Sequence, residues 1–279
     1  MSIRRQLREL QIRPRKRLGQ HFVTDPQILS RIVDCAALTP EDVVVEIGAG
    51  LGSLTVPLAK RVRKVYAIEL DPRLVRELKK QFFCRDCVEV IQADALQFDF
   101  APLYGKWQRQ MKVVANLPYE ISSPMIFRLF QERRYFSIYV LMLQMEVAKR
   151  VVAHPGTKDY GPLSLWSKLY TRAQIAFAVG PQAFYPQPKV ESAVVRLDIL
   201  QMPSVDVPDE KILQQIIRSA FTYRRKTLAN ALRLGSFSHV DLKKIQDALQ
   251  SVKISPLSRG ETLSLEQFRD LAQRLAALS

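Results

Sequence analysis

Four consecutive residues, Asn116-Leu117-Pro118-Tyr119, follow directly on a short apolar run at 111–115. An asparagine side chain offers a carbonyl acceptor beside its amide N–H groups. A proline two places later has a fixed φ and biases the residue before it away from helix. A turn of this kind at a strand end presents polar acceptors in one direction and suits a flat amine. Tyr119 adds an aromatic face.

A second segment, residues 43–52, reads Val-Val-Val-Glu-Ile-Gly-Ala-Gly-Leu-Gly, an apolar run leading into a glycine turn. Glycine lets the backbone take conformations that a Cβ forbids and lets a ligand come close. The spacing is G-x-G-x-G over Gly48, Gly50 and Gly52, not the G-x-G-x-x-G of dinucleotide sites. Glu69 closes the next apolar run, 21 residues after Gly48, near the roughly 20 expected of a carboxylate that grips ribose hydroxyls. Asp94 closes a third run and is placed to accept from an adenine amine. Together these boxes point to a nucleoside-type cofactor held beside a planar amine, and so to methyl transfer onto the exocyclic nitrogen of an adenine. A pyrophosphate-bearing dinucleotide is the poorer fit.

These residues must be positioned by alternating elements. Apolar, β-rich runs fall at 43–47, 64–69, 88–92, 111–115, 138–144, 174–179 and 193–199. Helical patterns fall at about 26–37, 53–61, 72–82, 123–134, 145–153 and 161–172. Asp25 before Pro26 reads as an N-cap with proline at the first helical position. Near-continuous apolar strands separated by helices predict a mostly parallel sheet covered on both faces, with the last two strands joined by a short connection as an antiparallel pair. The 201–208 stretch, Gln-Met-Pro-Ser-Val-Asp-Val-Pro, reads as a linker. Beyond it, helices are predicted at 209–221, 225–234, 240–250 and 265–278, the last started by a capping box of Ser264 and Gln267. The expected organisation is an α/β domain at 1–200 and a small all-helical domain at 201–279.

The motifs resemble the ribosomal RNA adenine dimethyltransferases of small-subunit (16S) RNA. Residues 15–22, Arg-Lys-Arg-Leu-Gly-Gln-His-Phe, resemble the family's R-K-x-x-G-Q-N-F. The resemblance continues through the glycine turn, Ile-Glu-Leu-Asp at 68–71, Gln-Ala-Asp-Ala at 92–95 and the Asn116–Tyr119 box, and ends in Phe-Tyr-Pro-Gln-Pro-Lys-Val-Glu-Ser at 184–192. It implies a Rossmann-like class I methyltransferase with a seven-stranded sheet and S-adenosylmethionine as cofactor. The implied cofactor positions are His21, Val23, Gly48, Glu69, Asp94 and Asn116, with Gln20 and Gly50 beside them. His21 departs from the family's asparagine, although histidine still donates and accepts. The implied acceptor site holds the target amine between the Asn116 side-chain oxygen and the Leu117 carbonyl. Pro118 stiffens the turn, and Tyr119 and Phe184 stack on the two faces of a flipped-out adenine. The implied reaction is dimethylation of two adjacent adenosines near the 3′ end of 16S rRNA in the 30S particle, with a part in subunit biogenesis. The alternatives are a 23S rRNA adenine methyltransferase of the macrolide-resistance type and an RNA-binding ribosome-assembly factor.

Composition fits a nucleic-acid partner. Lys and Arg number 42 against 27 Asp and Glu, a formal net charge of +15. Residues 1–17 hold seven basic side chains (Arg4, Arg5, Arg8, Arg13, Arg15, Lys16 and Arg17) and one acid, Glu9, an arm suited to phosphates. Residues 218–233 hold five basic residues and no acid, with Arg224, Arg225 and Lys226 in a run near Phe221 and Tyr223. Such contacts position RNA without reading its sequence. No apolar run approaches the ~18–20 residues that span a bilayer, so no membrane is expected. Cys84 and Cys87 have metal-like spacing but no second ligand pair, so no metal site is expected and a reducing, cytoplasmic compartment is. A monomer is the default.

Overall fold

The computed structural model describes residues 3–15 and 19–276. The chain opens with helix α1 (Ile3–Glu9), then a two-residue strand β1 (Phe22–Val23). Helix α2 (Pro26–Cys35) starts as its sequence signals: Asp25 Oδ1 accepts from the Gln27 and Ile28 amides at 2.8 and 3.4 Å, with Pro26 next. Strand β2 (Val43–Ile47) is buried at every position, as expected for a central strand covered on both faces. The chain then alternates through α3 (Thr55–Leu58), β3 (Lys64–Glu69), α4 (Pro72–Gln81), β4 (Val88–Gln92), α5 (Ala101–Trp107), β5 (Met111–Asn116), α6 (Ser122–Gln131), β6 (Phe136–Gln144) and α7 (Met145–Val152). After α8 (Pro162–Tyr170) come β7 (Thr171–Val179), the short β8 (Phe184–Tyr185) and β9 (Ser192–Ile199).

The main sheet has seven strands in the order β4-β3-β2-β5-β6-β9-β7. β2 runs parallel to both β3 and β5, β3 to β4, and β5 to β6. β9 lies between β6 and β7 and runs antiparallel to β6, with Ile138 opposite Asp198 and Gln144 opposite Ser192. The chain therefore builds outward from β2 on one side, then returns to build from β5 on the other. That reversal between β2 and β5 opens the crevice where α/β sheets hold ligands, beyond the carboxyl ends of the strands. The glycine turn follows β2 and the Asn116–Tyr119 turn follows β5, so the fold sets the two boxes side by side.

Two features go beyond the sequence pattern. β1 and β8 form a separate antiparallel ribbon, with Phe22 opposite Tyr185 and Val23 opposite Phe184. Helix α1 packs Leu7 into a small buried cluster with Ile12, Phe22, Leu51 and Leu74, which seats the arm on the glycine turn and on α4.

The chain divides into two compact units: the chain up to Ala148 with Arg172–Ile199, and Lys149–Thr171 with the chain from Leu200 onward. The sequence pattern groups 149–171 with the α/β part. The structure places them with the helices, because the apolar side of α8 packs against α9 (Glu210–Thr222) and α12 (Leu265–Ala276). Tyr160 Oη donates to the Leu263 carbonyl at 2.8 Å, and Lys168 pairs with Glu266 at 3.2 Å. Within this unit α10 (Leu228–Leu234) and α11 (Leu242–Ser251) complete a core that includes Ile216, Leu232, Phe237, Leu249, Phe268 and Leu271. The capping box forms: Gln267 N donates to Ser264 Oγ at 3.3 Å and Ser264 N to Gln267 Oε1 at 2.9 Å. The last helix is expected to run to residue 278, of which 277 and 278 lie outside the described residues. Among the described residues no helix is long and apolar enough to cross a membrane.

Candidate active site

The glycine turn needs its glycines for separate reasons. Gly48 has φ +74°, and a Cβ there would lie 3.3 Å from Pro118 Cδ. Gly50 has φ +63°, and a Cβ there would lie 2.9 Å from the Phe22 ring. The first lets the β2 turn close on the Asn116–Tyr119 turn. The second lets the N-terminal segment lie against it.

Glu69, the last residue of β3, is buried, and both its carboxylate oxygens accept backbone hydrogen bonds. Oε2 takes the Gly50 amide at 2.9 Å and Oε1 the Asp71 amide at 2.8 Å. Burial pushes its pKa up against the pull of these amides. A carboxylate has about four lone-pair sites, so Glu69 shapes the glycine turn and keeps acceptor capacity for a diol. Asp94 lies past β4, its Oδ1 taking the Leu96 amide at 2.9 Å. Gly48, Gly50, Glu69, Asp94 and Asn116 line one cavity, together with Gln20, His21 and Val23.

Asn116 ends β5. Its Nδ2 donates to the His21 carbonyl at 2.8 Å, which turns the amide so that Oδ1 is left without a hydrogen-bond partner among the described residues. Leu117 N donates to the Met142 carbonyl at 3.2 Å, anchoring the turn to β6. The Pro118 carbonyl accepts from Ile121 N at 3.1 Å and Ser122 Oγ at 3.0 Å, while the Leu117 carbonyl takes no part in that turn. Tyr119 shares a hydrogen bond with Ser192 Oγ at 2.7 Å, joining the Asn116–Tyr119 box to the end of the 184–192 motif. Its ring stacks on His21 with centroids 5.1 Å apart.

The unusual His21 is held from two sides. Its Nδ1 lies 2.6 Å from the Pro186 carbonyl oxygen, an acceptor only, so the proton sits on Nδ1 and is donated. Gln20 is used by the protein at both ends of its amide: Oε1 accepts from Arg15 N at 2.8 Å, and Nε2 donates to Asp71 Oδ2 at 3.3 Å. Asp71 caps α4 and is gripped by Arg73 at 3.0 and 2.6 Å, which lowers its carboxyl to about 2. Gln20 thus ties the arm to the start of α4 as well as lining the cavity.

Phe184, which the resemblance assigns to one face of a flipped base, is 4 % exposed and belongs to the core cluster that also holds Val23, Val179 and Ala183. The β1–β8 register turns its ring inward, in line with Val23.

Two wall residues escape the motif reading. Leu70, 48 % exposed, follows Glu69 and offers an apolar surface to a flat ring. Its signal is the apolar residue between two acids in Glu69-Leu70-Asp71. Glu46, 2 % exposed, lines the cavity, and its Oε2 has no hydrogen-bond partner among the described residues. Burial pushes its pKa up to about 8, and the nearby Glu69 pushes the same way. The Thr55 hydroxyl and amide pull it back down, and Ser53 Oγ is buried with no hydrogen-bond partner among the described residues. The run of apolar residues around Glu46 gives no hint of this, since only the fold shows that one of the acid's oxygens has no partner.

The set fits S-adenosylmethionine: acceptors for a diol (Glu69) and a ring amine (Asp94), an apolar wall (Leu70), and a buried carboxyl (Glu46) whose ionised form a cationic group would favour. Among the described residues, no three His, Cys, Asp or Glu side chains gather in a way that could hold a metal ion.

The matches to known proteins agree with this geometry. A family model described as "Ribosomal RNA adenine dimethylase" matches residues 12–276. The Ribosomal RNA small subunit methyltransferase A of Pelotomaculum thermopropionicum is 42% identical over 278 residues, covering 97% of this chain and 94% of its own. The crystal structure of a dimethyladenosine transferase from Plasmodium falciparum has a TM-score of 0.79 at 29% identity, covering 92% of this chain and 98% of its own. That of the 23S rRNA methyltransferase ErmE has a TM-score of 0.67 at 25% identity, covering 91% of this chain and 99% of its own. With its boxes gathered at the β2–β5 crevice and a family model spanning nearly its whole length, the chain belongs to the ribosomal RNA adenine dimethylase family.

Proposed function

We propose that this enzyme dimethylates the N6 nitrogens of two adjacent adenosines near the 3′ end of 16S rRNA, within the small ribosomal subunit. We further propose that it works as a cytoplasmic monomer and takes part in subunit biogenesis. The observation behind the chemistry is the orientation of Asn116, whose amide is spent on the His21 carbonyl and whose Oδ1 is left to accept. S-adenosylmethionine, when bound, supplies an electrophilic methyl group.

The chain's residues do the rest. Glu69 holds ribose hydroxyls and Asp94 the ring amine, with Gln20, His21, Val23, Gly48 and Gly50 forming the wall. An adenine amine is a weak nucleophile because its lone pair is delocalised into the ring. Asn116 Oδ1 and the Leu117 carbonyl accept its two N–H groups and aim the lone pair. As positive charge develops on that nitrogen, these fixed acceptors stabilise the transition state more than the ground state. No dedicated base is needed, because the amine's acidity rises as it becomes cationic. Tyr119 offers the stacking face. The helical unit and the basic arm hold phosphates.

The 42% identity to a small-subunit enzyme, against 25% to the 23S enzyme, favours the small subunit as target. The test is incubation with undermethylated 30S and, separately, 50S particles plus cofactor, followed by nucleoside mapping by mass spectrometry. The expected product is dimethyladenosine in the 30S sample alone. Product only in the 50S sample selects the 23S reading, and none in either selects an RNA-binding assembly factor.

A further inference from the structure

Helix α6 rises directly from the Asn116–Tyr119 turn, and near its far end it carries Arg128. The guanidinium donates through Nη1 to the Leu96 carbonyl and through Nη2 to the Phe98 carbonyl. It lies 5.7 Å from the Phe100 ring centroid and 3.8 Å from Glu132, one turn on. Leu96 is also the residue whose amide binds Asp94 Oδ1, at 2.9 Å. The same loop is fastened at its start by Ala93 N donating to the Glu69 carbonyl at 3.2 Å. Without Arg128, the far side of the Asp94 loop would lose two charge-assisted bonds to the helix behind it. A guanidinium holds two carbonyls in a fixed planar fork, whereas a lysine ammonium offers its donors from a single point on a flexible stem.

We infer that Arg128 is a positioning residue: it fixes the Asp94 loop against α6, and so sets the distance between the carboxylate that reads the cofactor's ring amine and the turn that holds the target amine. The proposal rests on the assignment of Asp94 to that ring amine. Arg128 touches neither the cofactor nor the base. Its effect passes through the backbone of Leu96, whose two polar groups are divided between Asp94 and Arg128.

The test compares two ligands that differ at one position. S-adenosylhomocysteine carries the 6-amino group, and S-inosylhomocysteine carries an oxygen there. Dissociation constants are measured by calorimetry for the wild type, Asp94→Ala, Arg128→Gln and Arg128→Lys, with a thermal melt of each. The wild type is expected to prefer the amino ligand, and Asp94→Ala to abolish that preference. Arg128→Gln is expected to shrink the preference about tenfold, with Arg128→Lys in between. General loosening of the fold would weaken both ligands alike and leave their ratio unchanged, so the ratio isolates positioning. If the wild type shows no preference, the Asp94 assignment fails and the proposal with it. A wild-type preference lost in Asp94→Ala but intact in both Arg128 variants overturns the proposal alone.

Discussion

Asn116 and Glu46 show how much a single side chain's unmade hydrogen bonds can say. If Asn116 Oδ1 holds the target amine, Asn116→Ala should lower turnover by about 10²–10³-fold, the cost of one oriented polar group at a reacting centre. RNA affinity, measured by filter binding, should stay nearly unchanged; near wild-type turnover would remove Asn116 from the site. Glu46 makes a separate prediction about stability. Its folded pKa of about 8 lies above the ordinary carboxylate value, so the folded state holds the proton more tightly than the unfolded one. The associated stability is fully present below about pH 4.5 and is lost as pH rises towards about 8, by up to roughly 5 kcal/mol at ~1.4 kcal/mol per unit. Glu46→Gln keeps the shape without the titration. Its stability advantage in urea unfolding should therefore grow between pH 5 and pH 8 and level off above. An advantage that does not change with pH would mean that Glu46 is paired or hydrated in solution.

Elements decide which residues can serve the site, and glycines show the two directions of that control. Gly50→Ala places a side chain at φ +63° and 2.9 Å from Phe22, and should cost about 1–3 kcal/mol and weaken cofactor binding. Gly105 lies inside α5, and a Cβ there would meet nothing within 4 Å. Gly105→Ala should raise stability by about 0.5–1 kcal/mol with activity intact. Thermal melts of both variants check the opposite signs. The main strands are legible in the sequence because burial on both faces leaves near-continuous apolar runs such as 43–47, interrupted only by Glu46. Helix α5 is not legible, since Pro102 and Gly105 break its pattern over only seven residues. The β1–β8 ribbon has two residues per strand, too few for any period to show, and it is this ribbon that sends Phe184 into the core. Helix α3 is shorter than its 53–61 pattern at both ends: turn residues follow the glycines into its start, and a further turn at 59–61 ends it.

At the scale of the whole molecule, net charge predicts a polyanionic partner, but only the structure tells which cations are free to meet it. On the arm, Arg15 leans on Asp71 at 3.9 Å and Arg5 pairs with Glu9 at 2.7 Å, while Lys16 and Arg17 lie outside the described residues. In the helical unit Phe221 is committed to rings, lying 6.1 Å from Tyr160 and 6.2 Å from Phe268. Arg224 pairs with Glu261 at 2.6 Å and donates to the Lys158 carbonyl at 2.9 Å. Arg225 and Lys226 are exposed beside it, in the turn before α10 rather than on the helix expected from 225. The three neighbours should therefore differ. Arg225→Ala and Lys226→Ala should each reduce the salt dependence of RNA binding by about one counterion in a plot of log affinity against log salt, with no change in melting temperature. Arg224→Ala should lower the unfolding free energy by up to about 1 kcal/mol, the value of an exposed pair, and change the salt slope least. Equal slopes for all three variants would mean that the Glu261 pair opens when RNA binds, and that Arg224 then faces phosphate as its neighbours do.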